Sequence, residues 1–223
     1  MATEINVQPL TGVQYLESLR DGRELYIDGE RVADVTTHPA FRNSARSVAR
    51  LYDALHDPAL QETLLTTDRF GIRTHKFFAP SYSAQELTEA RNAIEAWARL
   101  SYGWMGRTPD YKAAFMASLG AAPDFYAPYT ENARRWYKEY AQKVLFLNHV
   151  LVNPPIDRHK PIQEVGDVFV HVVKETDGGF IVEGAKMLAT GSALTHGTFV
   201  AQNSAVQMEK GKAEDFASCF SSR

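Results

Sequence analysis

The sequence predicts an α+β chain in which a mainly helical N-terminal part is followed by an antiparallel β part. Apolar residues recur at three- and four-residue steps in several segments ahead of Leu147, the spacing of one helix face. Further on, from Asp167, they alternate with polar residues at period two, as in half-buried strands. Between the two regimes lies Asn148-His149-Val150-Leu151-Val152-Asn153-Pro154-Pro155-Ile156-Asp157-Arg158-His159. Its paired prolines remove two backbone donors and hold the residues before them extended, so no helix runs through it. The expected organisation is a helical domain with a small hairpin over residues 1–147 and the start of a β domain over residues 148–223.

Thr11-Gly12-Val13-Gln14 has capping-box spacing, and Val13, Leu16 and Leu19 predict a short helix ended by Asp21-Gly22. Asp28-Gly29, between Glu24–Ile27 and Glu30–Val32, is the pair preferred by a two-residue hairpin turn. Phe41, Ala45, Val48, Tyr52 and Leu55 mark an amphipathic helix stopped by His56-Asp57-Pro58. Ala59 to Ser81 has no clear period and is left unassigned. Ser83-Ala84-Gln85-Glu86 is a full capping box, and Leu87, Arg91, Ile94, Trp97 and Ser101 outline a helix that ends near Gly103. Thr108 is suited to cap a further helix with Pro109 in its first position, running through Ala113–Leu119 to Gly120. A long helix is expected from about Thr130 to Leu147, with Trp136, Tyr137, Tyr140, Val144 and Leu147 on one stripe. Beyond the prolines, strands are expected at Val168–Val172, Phe180–Gly184, Thr198–Ala201 and Phe216–Phe220, the first two joined by a turn at Thr176-Asp177-Gly178-Gly179.

With 44% hydrophobic and 23% charged residues the composition is that of a globular protein, and 223 residues suffice for a sizeable core. The net charge of −3 and the lack of any lysine or arginine block speak against a nucleic-acid partner. The first residues lack a secretory signal pattern and no apolar run reaches membrane-spanning length, so a cytoplasmic protein with no membrane partner is expected. A single cysteine, Cys219, excludes an internal disulfide and a multi-cysteine metal site within these residues. The histidines show no metal-ligand spacing, and no P-loop, G-x-G-x-x-G or G-x-S-x-G occurs.

Three groups of residues could carry chemistry. Arg107 and Tyr111 offer a fixed cation and a phenolic hydroxyl near a helix start, suited to an anion or a phenolate oxygen, with His149 as a titratable third member. The alternative is a surface Arg–Tyr contact and a histidine that caps the last carbonyls of its helix. Pro154–Arg158 reads either as a solvated turn or as a rigid edge for a planar heterocycle, with Arg158 near a phosphate. Thr190-Gly191-Ser192 suits a ligand contact or a plain turn equally.

Four segments go further: Tyr15-Leu16-Glu17-Ser18-Leu19, Val35-Thr36-Thr37-His38-Pro39-Ala40-Phe41-Arg42-Asn43, Arg99-Leu100-Ser101-Tyr102-Gly103-Trp104-Met105-Gly106-Arg107-Thr108-Pro109-Asp110-Tyr111 and Asn153-Pro154-Pro155-Ile156-Asp157-Arg158. Together they resemble the oxygenase component of the 4-hydroxyphenylacetate 3-monooxygenase family, from about Thr11 to Phe220. The resemblance implies an acyl-CoA dehydrogenase-like fold with an N-terminal helical domain, a middle β domain and a C-terminal helical bundle, the last absent here because the chain stops inside the middle domain. It implies ortho-hydroxylation of 4-hydroxyphenylacetate to 3,4-dihydroxyphenylacetate by FADH2 and O2 through a flavin C4a-hydroperoxide. FADH2 would come from a separate NAD(P)H-flavin reductase, and the full-length family assembles as a homotetramer. Matched by motif, Arg107, Tyr111 and His149 are the catalytic and substrate-binding residues. His149, Val150, Leu151, Val152, Pro155, Ile156, Asp157, Arg158 and Thr190 are the flavin-binding ones. Two alternatives accompany this reading: the same chemistry on phenol or a chlorophenol, and a non-catalytic truncated remnant. The related iron–sulfur-dependent 4-hydroxybutyryl-CoA dehydratase is disfavoured, since no cysteine precedes Cys219.

Overall fold

The structure, a computed structural model, describes residues 8–156, 159–160, 164–202 and 220–222. The chain divides into two units, Met1–Leu147 with Ala193–His196, and Asn148–Ser192 with Gly197–Arg223.

In the first unit, Thr11 Oγ1 accepts the Gln14 N–H and Gln14 Oε1 accepts the Thr11 N–H, a complete capping box that starts α1 (Gly12–Ser18). Strands β1 (Tyr26–Ile27) and β2 (Glu30–Arg31) pair antiparallel about Asp28 and Gly29, whose φ values of 51° and 82° are those the tight hairpin turn requires. Helix α2 (Arg42–Ala54) buries Ala45, Val48, Leu51 and Tyr52. The unassigned stretch resolves into three short pieces. Asp57 caps α3 (Pro58–Leu64), β3 (Leu65–Thr67) pairs antiparallel with β4 (Arg73–His75), and a 3₁₀ turn covers Lys76–Phe78. No piece is long enough to show a period. Its buried face also includes Thr74 and His75, both fully inaccessible, which inverts the polarity signal.

Helix α4 (Ala84–Leu100) starts where expected, with Ser83 Oγ accepting the Glu86 N–H. The Glu86 carboxylate reaches back to the N–H of Tyr82, at 2.7 Å. Its buried face is Ala90, Ala93 and Trp97, whereas Leu87 is 61% exposed. The Trp97 ring stacks on the His75 imidazole at 4.1 Å. At the C-terminus, Gly103 N–H bonds Ala98 O and Tyr102 N–H bonds Arg99 O, a Schellman closure with Tyr102 left-handed at φ 52°.

The helix expected from Pro109 begins differently. Pro109–Lys112 form a 3₁₀ turn that Thr108 does not cap, and α5 (Ala113–Ala121) follows. The Thr108 hydroxyl acts instead on the buried Asp110 carboxyl, whose pKa it works to lower. Helix α5 runs through Gly120, where a Cβ would lie 2.5 Å from the Tyr137 ring of α6 (Thr130–Lys143). Glycine is what allows these two helices to approach so closely. The last helix stops four residues short of Leu147, at a second Schellman closure: Leu145 N–H to Tyr140 O, Val144 N–H to Ala141 O, and Val144 at φ 56°. A β-branched residue in this conformation is strained, and full burial together with the Tyr52 hydroxyl, which donates to Val144 O at 2.7 Å, holds it there. Tyr15 stacks on Tyr52 at 4.8 Å, and its hydroxyl donates to Leu194 O.

The second unit is mainly β. Strand β5 (Leu147–Val150) belongs to a three-stranded sheet of order β5-β8-β9, with β8 (Gly197–Val200) antiparallel to β9 (Phe220–Ser222). Strands β6 (His171–Thr176) and β7 (Gly179–Glu183) form a hairpin with a bulge between Val172 and Lys174. The expected strand at Val168 starts three residues later, because Gly166–Val168 form a 3₁₀ turn and Phe169 makes only an isolated bridge to Ala185. Of the strand expected at Phe216–Phe220, residues 216–219 lie outside the described residues. No helix among the described residues is long and apolar enough to cross a membrane.

Candidate functional site

In the first unit the α4–α5 connection brings Arg107 onto Tyr111. The Arg107 guanidinium carbon lies 4.1 Å from the Tyr111 ring centroid, while Nη1 donates to Gly106 O at 2.7 Å. Lys112 adds a second cation 4.5 Å over the same ring and 4.5 Å over that of Phe115. Burial and, second, the nearby Arg107 charge lower the Lys112 pKa. Asp110, buried beneath, has its pKa raised by desolvation, against the opposing effect of the Thr108 hydroxyl. The pair expected from the sequence is thus in contact, but cation on ring face, with Arg107 ahead of a 3₁₀ turn and Tyr111 within it rather than in the first turn of an α-helix. What results is a half-buried patch with two fixed positive charges beside a phenol ring, able to stabilise an oxyanion.

In the second unit His149 sits in β5 beside a residue that the sequence did not single out. Asn148 is 1% exposed; its Nδ2 donates to Ser192 Oγ at 3.0 Å and reaches Ala189 O at 3.5 Å, while its Oδ1 accepts the His149 N–H at 2.8 Å. The turn that carries exposed Thr190, with Gly191 at φ 87°, is therefore tied to the strand that carries His149. The connector after β5 is also anchored. Val150 O accepts the Ala201 N–H and Val152 O accepts the Met187 N–H. The Lys186 ammonium donates to Asn153 Oδ1 at 2.7 Å and Leu151 O at 3.4 Å. Along this edge Val152 and Pro155 are exposed, and Leu151 and Ile156 are half-buried. Asp157 and Arg158 lie outside the described residues.

A half-buried Ser18–His196 contact in the first unit resembles a nucleophile–base pair, but its proton arrangement excludes that role. The Phe146 N–H donates to His196 Nδ1 at 2.9 Å, so Nε2 carries the proton and points it at Ser18 Oγ, 2.9 Å away. The Ser18 hydroxyl in turn donates to Tyr15 O. Burial pushes the His196 pKa down to about 4. The imidazole is a neutral structural link and cannot take a proton from serine. Among the described residues no group of three or more His, Cys, Asp or Glu side chains is arranged to hold a metal ion.

Sequence reasoning missed Asn148, Lys112 and Lys186. A signal existed for Asn148, the polar residue that closes the apolar run Val144-Leu145-Phe146-Leu147. Lys186, between Ala185 and Met187, had none, because its partners are distant in sequence.

A profile of the family described as 4-hydroxyphenylacetate 3-hydroxylase N terminal matches residues 11–223. The oxygenase component of 4-hydroxyphenylacetate 3-monooxygenase from Klebsiella oxytoca is 59% identical over 215 residues, 96% of this chain and 41% of that protein. The oxygenase component of 4-nitrophenol 2-monooxygenase from Rhodococcus sp. is 61% identical over 198 residues, 88% of this chain and 38% of that protein. Among solved structures, the oxygenase component of 4-hydroxyphenylacetate 3-monooxygenase complexed with FAD and 4-hydroxyphenylacetate superposes with a TM-score of 0.84 at 33% identity, over 95% of this chain and 44% of that one. The chain spans about two fifths of the length of the curated relatives it matches. Its α+β class is the acyl-CoA dehydrogenase-like one expected from the sequence.

Proposed function

Because the chain belongs to the 4-hydroxyphenylacetate 3-hydroxylase N-terminal family, a family of flavin-dependent monooxygenases, we propose that it forms the N-terminal portion of an oxygenase component that hydroxylates 4-hydroxyphenylacetate next to its hydroxyl group. The cofactor is FAD in reduced form, delivered by a separate NAD(P)H-flavin reductase, and the complete oxygenase works as a homotetramer. The observation that carries this reading is the convergence on one buried side chain, Asn148, of the strand bearing His149 and the turn bearing Thr190.

Arg107, Tyr111 and His149 hold the phenolic oxygen. Arg107 favours its deprotonated form, which raises electron density at the ortho carbon, and Lys112 adds to the same field. The edge from His149 to Arg158, with Thr190, lines the flavin. Two features of this edge suit such a ring: Val152, Pro155 and Ile156 supply apolar surface, and the buried Asn153 Nδ2 has no acceptor among the described residues. A flavin ring edge, rich in carbonyl oxygens and ring nitrogens, provides one. When bound, the reduced flavin supplies the activation of O2 and the oxygen atom transferred. The protein's part is to orient the phenol, stabilise its anion and exclude water.

A second reading keeps the chemistry and changes the phenol. It is favoured by the 61% identity to an oxygenase named for 4-nitrophenol, and extends to phenol and chlorophenols. On its own, the 223-residue chain binds FAD weakly and turns over little, since three fifths of the relatives' length has no counterpart in it. The test is to supply reductase, NADH and O2 to the chain and to a full-length version, with 4-hydroxyphenylacetate, phenol, 4-chlorophenol and 4-nitrophenol. Catechol from 4-hydroxyphenylacetate in the full-length protein alone is the expected result. Preference for another phenol selects the second reading. Absence of flavin binding in both proteins leaves the non-catalytic remnant.

A further inference from the structure

Lys186 carries a positive charge into the second unit and finds no carboxylate there among the described residues. Its Nζ reaches three neutral oxygens instead: Asn153 Oδ1 at 2.7 Å, Gln202 Oε1 at 2.9 Å and Leu151 O at 3.4 Å. Three acceptors match the three donors of an ammonium group. Gln202 also extends its Nε2 to Val170 O at 3.4 Å. One half-buried cation thus links the connector after β5, the chain after β7 and the chain after β8.

Stability alone does not call for this arrangement. A buried charge held only by dipoles is costly, and apolar residues of similar volume often replace such polar networks without loss. Desolvation of the ammonium is substantial enough to bring its pKa down to about 8.

The charge does have a local consequence that an apolar side chain would lack. Lysine only donates, so Asn153 must turn its Oδ1 towards Lys186 and its Nδ2 away. That Nδ2 is a buried donor without an acceptor among the described residues. Lys186 therefore fixes which end of the amide is left over.

We propose that Asn153 is a further flavin-binding residue and Lys186 its positioning residue: the Lys186 ammonium anchors Leu151 O and Asn153 Oδ1 and thereby presents the Asn153 Nδ2 donor to an acceptor on the flavin ring. This rests on the flavin reading of the connector given above.

Two variants separate this role from simple scaffolding. Lys186→Met keeps the stem and removes the donors. Asn153→Asp keeps and strengthens the contact with Lys186 but replaces the free donor with an acceptor. FAD titration of a full-length version, followed by flavin fluorescence, is combined with hydrogen exchange of peptides covering 150–156. In Lys186→Met, exchange at 150–156 should accelerate and FAD affinity fall about tenfold, with Lys186→Arg restoring most of both. In Asn153→Asp, exchange should stay at or below the wild-type rate while FAD affinity still falls about tenfold. Wild-type FAD affinity in Asn153→Asp overturns the proposal, as does unchanged exchange or unchanged affinity in Lys186→Met. A full-length wild type that binds no FAD at all refutes the flavin reading itself, before any variant is compared.

Discussion

Acid should unfold the first unit through two histidines. His196 is half-buried and His75 fully buried there, and desolvation lowers their pKa values to about 4 and about 3, from an ordinary value of 6.5. Both are therefore neutral in the folded state at pH 5, whereas in the unfolded chain they are largely protonated. A group whose folded pKa is depressed contributes stability that is present above its unfolded pKa and is lost as pH falls towards the folded one. Here the window opens at pH 6.5 and extends to about pH 4 for His196. Each unit of pH below about 6.5 costs about 1.4 kcal/mol per histidine, so the change from pH 7.5 to 5.0 costs about 2 kcal/mol for each and about 4 kcal/mol for the pair. The perturbation is His196→Gln, with His75→Asn as an independent second variant. Urea unfolding at pH 7.5, 6.0 and 5.0, followed by fluorescence of Trp97, which stacks on His75, reads the stability of this unit. Either variant lowers stability at pH 7.5 by whatever contact it removes. The difference lies in the slope: between pH 7.5 and 5.0 the wild type should lose about 2 kcal/mol more than either single variant. Parallel stability–pH curves for wild type and both variants would falsify the assignment of neutral, desolvated imidazoles.

Two further outcomes are expected. Gly120→Ala adds a methyl group 2.5 Å from the Tyr137 ring, which is itself tethered by its hydroxyl to Asp68. Overpacking of about 1–3 kcal/mol should exceed the gain of roughly 1 kcal/mol in helix propensity, so that thermal unfolding occurs a few degrees lower. An unchanged or higher midpoint would show that the ring gives way freely. Arg107→Ala in a full-length version should reduce hydroxylation at least tenfold, roughly the loss of one charge-assisted contact, and raise the ratio of hydrogen peroxide to catechol, with FAD affinity nearly intact. Product and peroxide measured together check this, and an unchanged ratio counts against a substrate role for Arg107.

Elements with their own local signal were legible in the sequence. Thr11 and Gln14 form both halves of their capping box, Asp28-Gly29 makes the hairpin, and α2 runs along the expected stripe. Reading failed where long-range contacts outweigh local preference. Val144 ends a helix in a conformation that valine avoids, because its burial and the Tyr52 hydroxyl, 92 residues away, compensate the strain. Buried Ala90 and Ala93 define the inner face of α4, whereas Leu87 is exposed, since the face is chosen by what packs on it. Thr108 has the right chemistry for a cap but makes no side-chain cap hydrogen bond, because a 3₁₀ turn follows it.

The candidate site divides along the same line. By itself the sequence determined the class of the fold, the break at the paired prolines, and the family, since these depend on periodicity, on the missing proline N–H groups and on runs of consecutive residues. Only the tertiary structure decided that Arg107 lies on the ring of Tyr111, that Asn148 ties the Thr190 turn to the His149 strand, and that Lys186 sets the direction of the Asn153 amide. The last two of these contacts join residues more than thirty positions apart, and such pairings exist only once strands and turns have brought them within hydrogen-bond reach.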